Sequence, residues 1–152
     1  MAEAAAQGGR GGREVPIDPR LFDWPAADPR LIGSRCNDCG THAFPAQASC
    51  ARCCSEDVER VPLARRGTLW SFTIQNFLPK SPPYAGDETL ETFRPYGVGY
   101  VELPGQVRVE ARLKASSPEE LAIGMEMELV FERFRTDEDG NEVITYAFRP
   151  VA

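Results

Sequence analysis

The sequence predicts a mainly β protein in which a small metal-binding ribbon precedes a closed barrel of five strands. Two observations carry this prediction. All 5 cysteines of the chain fall between Cys36 and Cys54, and from Gly67 onward apolar and polar side chains alternate with the period of two that is typical of strands. With 152 residues, of which 42% are hydrophobic, the chain can bury one moderate core and a small satellite module.

The charge balance and the lack of long apolar stretches disfavour nucleic-acid-binding, membrane-spanning and secreted proteins. The chain has 17 lysines and arginines against 23 aspartates and glutamates, a net charge of −6, whereas binding to a phosphate backbone usually needs an excess of basic residues. No stretch is long and apolar enough for a membrane span, and the N-terminus lacks the pattern of a secretory signal. We therefore expect a cytoplasmic protein without membrane contact, and in that reducing compartment clustered cysteines favour metal binding over a disulfide.

Two segments precede the ribbon. Residues 1–14 are biased toward alanine, glycine and arginine and are predicted to form a disordered tail. Residues 15–35 are predicted to form an N-terminal arm or helix, which prolines interrupt but which carries large apolar side chains, among them Phe22 and Trp24. These side chains either pack on the ribbon or barrel of the same chain or dock on a partner, and the sequence leaves both possibilities open.

The cysteine spacing predicts a rubredoxin-like zinc ribbon over residues 36–60. Cys36 and Cys39 form one Cys-x2-Cys pair, and Cys50 and Cys53 form a second. Two such knuckles allow four thiolates to converge tetrahedrally, as a structural zinc site requires. A redox pair or an iron–sulfur cluster fits less well, because a redox Cys-x2-Cys pair would need a thioredoxin-like βαβ context. Four thiolates close the coordination shell, so we expect one structural zinc ion per chain.

Three neighbours of the cysteines need a separate interpretation. Gly40 follows the first pair, where a knuckle turn commonly needs a positive φ, and Cys54 takes the corresponding place after the second pair. Cys54 is interpreted as a spare thiol, although it could replace Cys53 as a ligand. His42, the single histidine of the chain, is interpreted as a solvated residue of the knuckle loop. A Ser-His-Asp or Cys-His catalytic arrangement would have to use it inside the metal knuckle, so we do not expect one.

Residues 61–152 are predicted to form the barrel. Ser117, Pro118 and Glu120 fit the capping box and first turn of one short helix over SSPEELAIG (116–124). Three strands, a short helix and two strands is the order of a five-stranded OB-fold barrel. The strands are predicted at GTLWSFTIQNF (67–77), YGVGYVEL (96–103), QVRVEARLKA (106–115), MEMELVFERF (125–134) and VITYAFR (143–149).

The first predicted strand and the connection after it have features of their own. The alternation places Trp70 on the same face as Phe72 and Ile74. The connection, residues 78–95, is far longer than the two to five residues of an ordinary hairpin loop. It is predicted to be a functional loop, and the alternative is a floppy insertion.

A four-cysteine ribbon followed by an OB-fold barrel resembles the zinc-ribbon/OB-fold proteins that accompany thiolases and thiolase-like enzymes as small accessory subunits. The resemblance covers roughly residues 20–150 and departs at Ala51 and Cys54, where the family often has proline and glycine. The residues that carry it are Cys36-x2-Cys39-Gly40, Cys50-x2-Cys53, the strand from Gly67 to Thr73, Pro95-Tyr96, Val101-Glu102-Leu103, Ile123-Gly124-Met125, Glu128 and Phe131.

The resemblance implies a noncatalytic subunit that pairs with a thiolase-fold or related acyl-CoA enzyme in a hetero-oligomer and helps to hold the coenzyme A part of the substrate. It implies zinc ligation by Cys36, Cys39, Cys50 and Cys53. The supported reaction would be thiolysis, retro-aldol cleavage or condensation, in lipid, steroid or polyketide-type metabolism. Candidate cations for coenzyme A are Arg65, Arg66, Lys80 and Arg94. Candidates for docking on the partner are Phe22, Trp24, Tyr84 and Phe93.

Two other functions are weighed against this one. Zinc ribbons and OB-fold barrels both occur in proteins that bind single-stranded nucleic acid, but Glu102 and Glu110 give the predicted binding strands a mixed charge. An independent enzyme could use Glu126 and Glu128 as acid and base. Both lie on the outer face of an alternating strand, however, where charged residues are expected anyway.

Overall fold

A computed structural model describes residues 12–152, and most of the predicted disordered tail, residues 1–11, lies outside the described residues. Within them Glu14, predicted to belong to that tail, already lies in a strand. The strands are β1 (Glu14–Pro16), β2 (Ile32–Cys36), β3 (His42–Ala43), β4 (Val58–Pro62), β5 (Arg66–Gln75), β6 (Tyr96–Glu102), β7 (Arg108–Leu113), β8 (Glu126–Thr136) and β9 (Glu142–Pro150).

The strands form two sheets, and the first of them uses β2, most of which lies in the predicted arm and not in the predicted ribbon. The ribbon sheet has the order β3-β2-β4. The second sheet has the order β1-β9-β7-β6-β5-β8, and an additional pairing of β8 with β9 closes β5 to β9 into a barrel. The mainly β fold with a five-stranded OB-type barrel is therefore confirmed. The short β1, which was not predicted, adds to the barrel by pairing in parallel with β9.

Apolar side chains from alternating positions fill the barrel. Val101, Val109, Met127 and Phe148 are completely buried there, as expected for inward-facing positions of a small closed barrel. Gly99 allows β5 and β6 to approach closely, because a Cβ atom at this position would lie 2.3 Å from the carbonyl oxygen of Ser71. The predicted strands thus supply most of the core, and Phe22, Leu31, Leu63 and Leu121 complete it from outside them.

The predicted orientation of Trp70 is wrong. A β-bulge between Leu69 and Ser71 interrupts the pairing of β5 with β6. Leu69 is buried and Trp70 is 47% exposed, so the bulge turns the indole ring away from the core. The ring packs edge-on against Tyr100 at 6.1 Å, and the guanidinium of Arg108 lies 4.0 Å from its centre.

The predicted short helix is a single 3-10 turn, Pro118–Glu120. Its start matches the expected chemistry, because the carboxylate of Glu120 accepts hydrogen bonds from the backbone amides of Ser116 (2.8 Å) and Ser117 (2.9 Å). Leu121 already has extended backbone angles, so no further turn forms.

Nowhere in the described part of the chain is there a helix with the length and apolar character to cross a membrane.

The arm wraps around the protein's own barrel and contains no helix between residues 15 and 35. Phe22 is 2% exposed and packs against Phe131 with ring centres 4.9 Å apart. Leu31 is completely buried, and a β-bridge joins it to Phe22. Of the two possibilities left by the sequence, the structure thus supports packing on the same chain. Phe22, one of the predicted docking residues, is thus covered by its own chain.

The connection between β5 and β6 packs against the barrel, which disfavours the alternative of a floppy insertion. Tyr84 packs edge-on against Phe134 with ring centres 5.7 Å apart. Asp87 accepts hydrogen bonds from the guanidinium of Arg133 (2.5 Å) and the backbone amide of Thr136 (3.2 Å). The guanidinium of Arg133 holds the pKa of Asp87 below its usual value.

Candidate metal centre and neighbouring clefts

The two knuckles bring the sulfur atoms of Cys36, Cys39, Cys50 and Cys53 within 4.8 Å of one another. The Sγ atoms of Cys36 and Cys53 are 3.6 Å apart, and those of Cys39 and Cys50 are 3.5 Å apart. A tetrahedral zinc site with Zn–S bonds of about 2.3 Å places its sulfurs about 3.8 Å apart. The four thiols therefore fit a zinc ion with little rearrangement.

The backbone builds the two knuckles in the same way. The amide of Gly40 donates to the carbonyl of Cys36, and the amide of Cys54 donates to the carbonyl of Cys50, each at 2.9 Å. Gly40 has φ = 77° and Cys54 has φ = 63°. Cys54 therefore occupies a conformation that glycine adopts without strain and that other residues enter at a cost of about 1 to 2 kcal/mol.

Replacing Cys54 with glycine is expected to raise the free energy of unfolding by about 0.5 to 1 kcal/mol, because relief of the positive φ outweighs the greater flexibility of glycine in the unfolded chain. Urea unfolding of the zinc-loaded protein measures this change. Cys54→Ala is the matched control, since alanine keeps the unfavourable φ and should give no such gain. A loss of zinc in the glycine variant would show instead that Cys54 is a ligand.

Neighbouring groups set the ionisation of the thiols. The hydrogen bond with the Thr41 side chain lowers the pKa of Cys39 to about 6. The backbone amide of Ser55 favours the thiolate of Cys53, but the sulfurs of Cys36 and Cys39 act against it and raise its pKa to about 12. Four thiolates so close together repel one another unless a cation is present. Zinc binding therefore releases protons and is favoured as the pH rises.

The centre is enclosed on the side of the ribbon sheet. Cys36 and Cys50 are buried, whereas Cys39 and Cys53 are exposed. Four cysteines complete a tetrahedral shell, which leaves no coordination position for a substrate. His42 lies in β3 opposite Arg35 and is half-buried, so it belongs to the ribbon sheet and is not the solvated loop residue that was predicted.

The predicted coenzyme A cations do not form one site. Arg65 and Arg66 lie at the start of β5 and line a cleft of about 590 Å³. Arg94 lines a different cleft of about 420 Å³ next to the β5–β6 connection, and Lys80 is exposed within that connection. The two groups lie at opposite ends of β5, which separates them by roughly 30 Å at 3.3 Å per residue. Arg66 is also shared by Glu126 and Glu128, each at 3.4 Å.

The other predicted docking residues are partly covered by the chain itself. Trp24 packs on Phe131 at 5.4 Å, and Phe93 packs edge-on against Tyr96 at 6.1 Å. Three large apolar side chains near the long connection and the 3-10 turn do face solvent, and none of them was predicted to dock on a partner. They are Phe77, Leu90 and Ile123. Leu90 and Ile123 stand in segments without strand periodicity, whereas Phe77 is the last residue of the first predicted strand.

A further cleft of about 560 Å³ lies where the arm, the ribbon and the barrel meet. We call it the junction cleft. Ile17 comes from the arm and Phe44 from the ribbon, and the barrel contributes Tyr100, Arg112 and Phe134 among others. Its volume is in the range of small-molecule sites, which often lie between domains. The alternation within QVRVEARLKA (106–115) predicts an outward-facing Arg112 and gives no sign that it lines a cleft.

Two family models match the chain in adjoining segments. Residues 23–59 match the rubredoxin-like zinc ribbon domain of ChsH2, and residues 60–132 match the C-terminal OB-fold domain of ChsH2. The four cysteines thus lie within a sequence that matches a zinc ribbon, in agreement with the geometry. Zinc is the cofactor of this centre.

Similar proteins cover most of the chain. The benzoylsuccinyl-CoA thiolase subunit BbsA of Thauera aromatica is 38% identical over 88% of this chain and 86% of its own length. A DUF35 domain-containing scaffold protein of Methanocaldococcus jannaschii is 31% identical over 80% of this chain and 82% of its own. Among solved structures, the Ltp2-ChsH2(DUF35) aldolase has a chain with a TM-score of 0.59 and 28% identity, covering 81% of this chain and 86% of that one.

Proposed function

Because the chain belongs to the ChsH2/DUF35 family of zinc-ribbon and OB-fold proteins, we propose that it is a noncatalytic subunit. In this proposal it pairs with a thiolase-like enzyme in a cytoplasmic hetero-oligomer and supports the binding or processing of an acyl-CoA. The observation that carries the proposal is the closed four-cysteine centre joined to an OB-fold barrel in a chain 38% identical to a thiolase subunit.

The chemistry is assigned to the partner for physical reasons. The zinc ion has a complete set of thiolate ligands and offers no open position to activate water or a carbonyl group. The carboxylate of Glu128, one of the two considered as acid and base, is paired with Arg149 at 2.7 Å, and the guanidinium of Arg149 lowers its pKa. A carboxylate that is ionised and paired in this way is a poor general acid.

The exposed side chains Leu90 and Ile123 are the better candidates for contact with the partner. Both lie in irregular segments outside the barrel strands and face solvent. Burial of such side chains in a complex is favourable because it removes apolar surface from water. This assignment replaces the docking role that was predicted for Phe22.

Co-purification with a tagged copy from the native cell extract, followed by mass spectrometry and metal analysis, tests the proposal. We expect a thiolase-fold enzyme at near-equal stoichiometry and about one zinc ion per chain. Exchanging Leu90 and Ile123 together for serine should reduce recovery of the enzyme without lowering the stability of the chain. Glu91→Gln, an exposed change next to Leu90, is the matched control. If no acyl-CoA enzyme is recovered with the wild-type chain, the proposal is wrong.

Binding of single-stranded nucleic acid is the second candidate, and one observation favours it. The exposed rings of Trp70 and Tyr100 lie on neighbouring strands with Arg108 beside them, as in base-stacking platforms of OB-fold proteins. Arg108 is neutralised by Glu102 at 2.8 Å, however, which weakens attraction for phosphates. Recovery of nucleic acid or ribosomal proteins in the same experiment would favour this candidate.

A further inference from the structure

Side chains hold the β5–β6 connection, residues 78–95, to the barrel. Its backbone amides bond within the segment, as from Tyr84 to the carbonyl of Lys80 and from Phe93 to the carbonyl of Thr89. Its attachment comes instead from Tyr84, Asp87 and Glu88, which reach residues of β7 and β8. Side-chain contacts of this kind can exchange with a ligand without unfolding the sheet.

Arg112 on β7 is one of the two arginines that hold this connection to the barrel. Nine arginines lie within 4.0 Å of a carboxylate in the part of the chain that the structure describes, namely Arg20, Arg30, Arg35, Arg65, Arg66, Arg108, Arg112, Arg133 and Arg149. Of these, Arg112 has the least exposed side chain, at 23%, and the longest ion pair, 3.9 Å to Glu88. The most buried paired guanidinium is therefore the one with the poorest partner.

The guanidinium of Arg112 has unused donors in a fixed position. It donates one hydrogen bond, from Nη2 to the hydroxyl of Tyr84 at 3.0 Å, and between residues 12 and 152 no other acceptor lies within hydrogen-bond distance. The ring of Tyr96, 3.9 Å away, holds its plane. A guanidinium has five N–H donors, and a planar fork held in place in this way matches a carboxylate or phosphate.

The surroundings of Arg112 provide room for the body of a ligand. Arg112 lines both the junction cleft and the cleft of about 420 Å³ that contains Glu88. The junction cleft is also lined by Phe44, Val98 and Phe134, which suit an apolar or aromatic group. The carboxylate of Glu110 on β7 lines the same cleft. It therefore disfavours a ligand that carries a second negative charge close to it.

We propose that Arg112 binds the oxyanion, a carboxylate or a phosphate, of a small ligand whose apolar body occupies the junction cleft. Glu88 is the internal competitor for this guanidinium, and Tyr84 holds it close by donating to its carboxylate at 3.0 Å. When the ligand binds, its oxyanion takes the donors that Glu88 approaches only to 3.9 Å. All residues of this site belong to this chain. The proposal can therefore be tested independently of the proposed partner enzyme.

The test is a nuclear magnetic resonance titration of the zinc-loaded full chain with three probes that share a phenyl group. Phenyl phosphate carries a phosphate, phenylacetate carries a carboxylate, and 2-phenylethanol carries no charge. We expect at least one anionic probe to bind and shift the resonances of the junction cleft, and the better of the two identifies the natural oxyanion. No binding of either anion, or equal binding of the alcohol, would overturn the proposal.

Opposite effects of two variants separate a ligand site from a structural ion pair. Arg112→Gln should weaken binding of the anion by about tenfold or more, because a charge-assisted hydrogen bond is lost. Glu88→Gln should tighten it by about threefold, because a competing negative charge is removed. Arg149→Gln, which breaks an ion pair outside both clefts, should leave the affinity unchanged. If Arg112→Gln and Glu88→Gln change it in the same direction, the pair is structural and the proposal is wrong.

Discussion

Replacing Cys36 with serine is expected to release the zinc ion and unfold the ribbon. Cys36 ends β2 and its side chain is 1% exposed, so the ligand is built into the ribbon sheet. A serine hydroxyl is a poor zinc ligand, and structural zinc contributes on the order of 10 kcal/mol to the folding of small zinc domains. Metal analysis should fall from about one zinc per chain to near zero, and circular dichroism should show loss of ribbon structure.

Cys54→Ser is the control for this experiment. It removes a thiol next to the centre but none of the four sulfurs that converge. The variant should keep its zinc and its stability. If Cys36→Ser retained both zinc and partner binding, the centre would not be the structural element described here.

Replacing Phe22 with alanine is expected to lower the free energy of unfolding by about 3 to 5 kcal/mol. The ring of Phe22 touches Phe131, Trp24 and Tyr146 and is 2% exposed, so its removal leaves a cavity between arm and barrel. Domains of this size have a total stability of roughly 5 to 15 kcal/mol, and such a loss is therefore severe. Urea unfolding followed by tryptophan fluorescence measures it.

Phe77→Ala is the matched control, because this phenylalanine is 71% exposed. Its stability should stay within about 0.5 kcal/mol of wild type. A Phe22→Ala variant that kept its stability but lost the partner enzyme would restore the docking role and contradict the buried position.

The sequence predicts the strands and the metal centre well because both leave local patterns. Ligand spacing defines the two knuckles, and alternation defines the barrel strands. Trp70 was misassigned because Leu69 and Trp70 are both apolar, so the alternation does not reveal which of them faces inward. The bulge depends on the partner strand β6, which a local pattern does not contain.

The packing of the arm and the burial of Arg112 were not predicted, for a different reason. Prolines remove any periodicity from residues 15–35, so nothing local indicates that Phe22 reaches Phe131. Arg112 follows the alternation of an ordinary outward-facing residue, but Tyr84, Tyr96 and Phe134 from other segments contact its guanidinium. Contacts between distant segments of this kind become visible only in the folded chain.

The pairing of β1 with β9 has a consequence for how the protein is made. Glu14 lies opposite Glu142, so β1 finds its neighbour only after β9, the last of the described strands, has left the ribosome. The ribbon, by contrast, needs only residues up to Pro62 and zinc, and its contacts are local. We expect the ribbon to fold first, and the arm to remain exposed until β9 has been synthesised. Limited proteolysis of ribosome-bound chains of increasing length should therefore show protection of the ribbon well before protection of the arm.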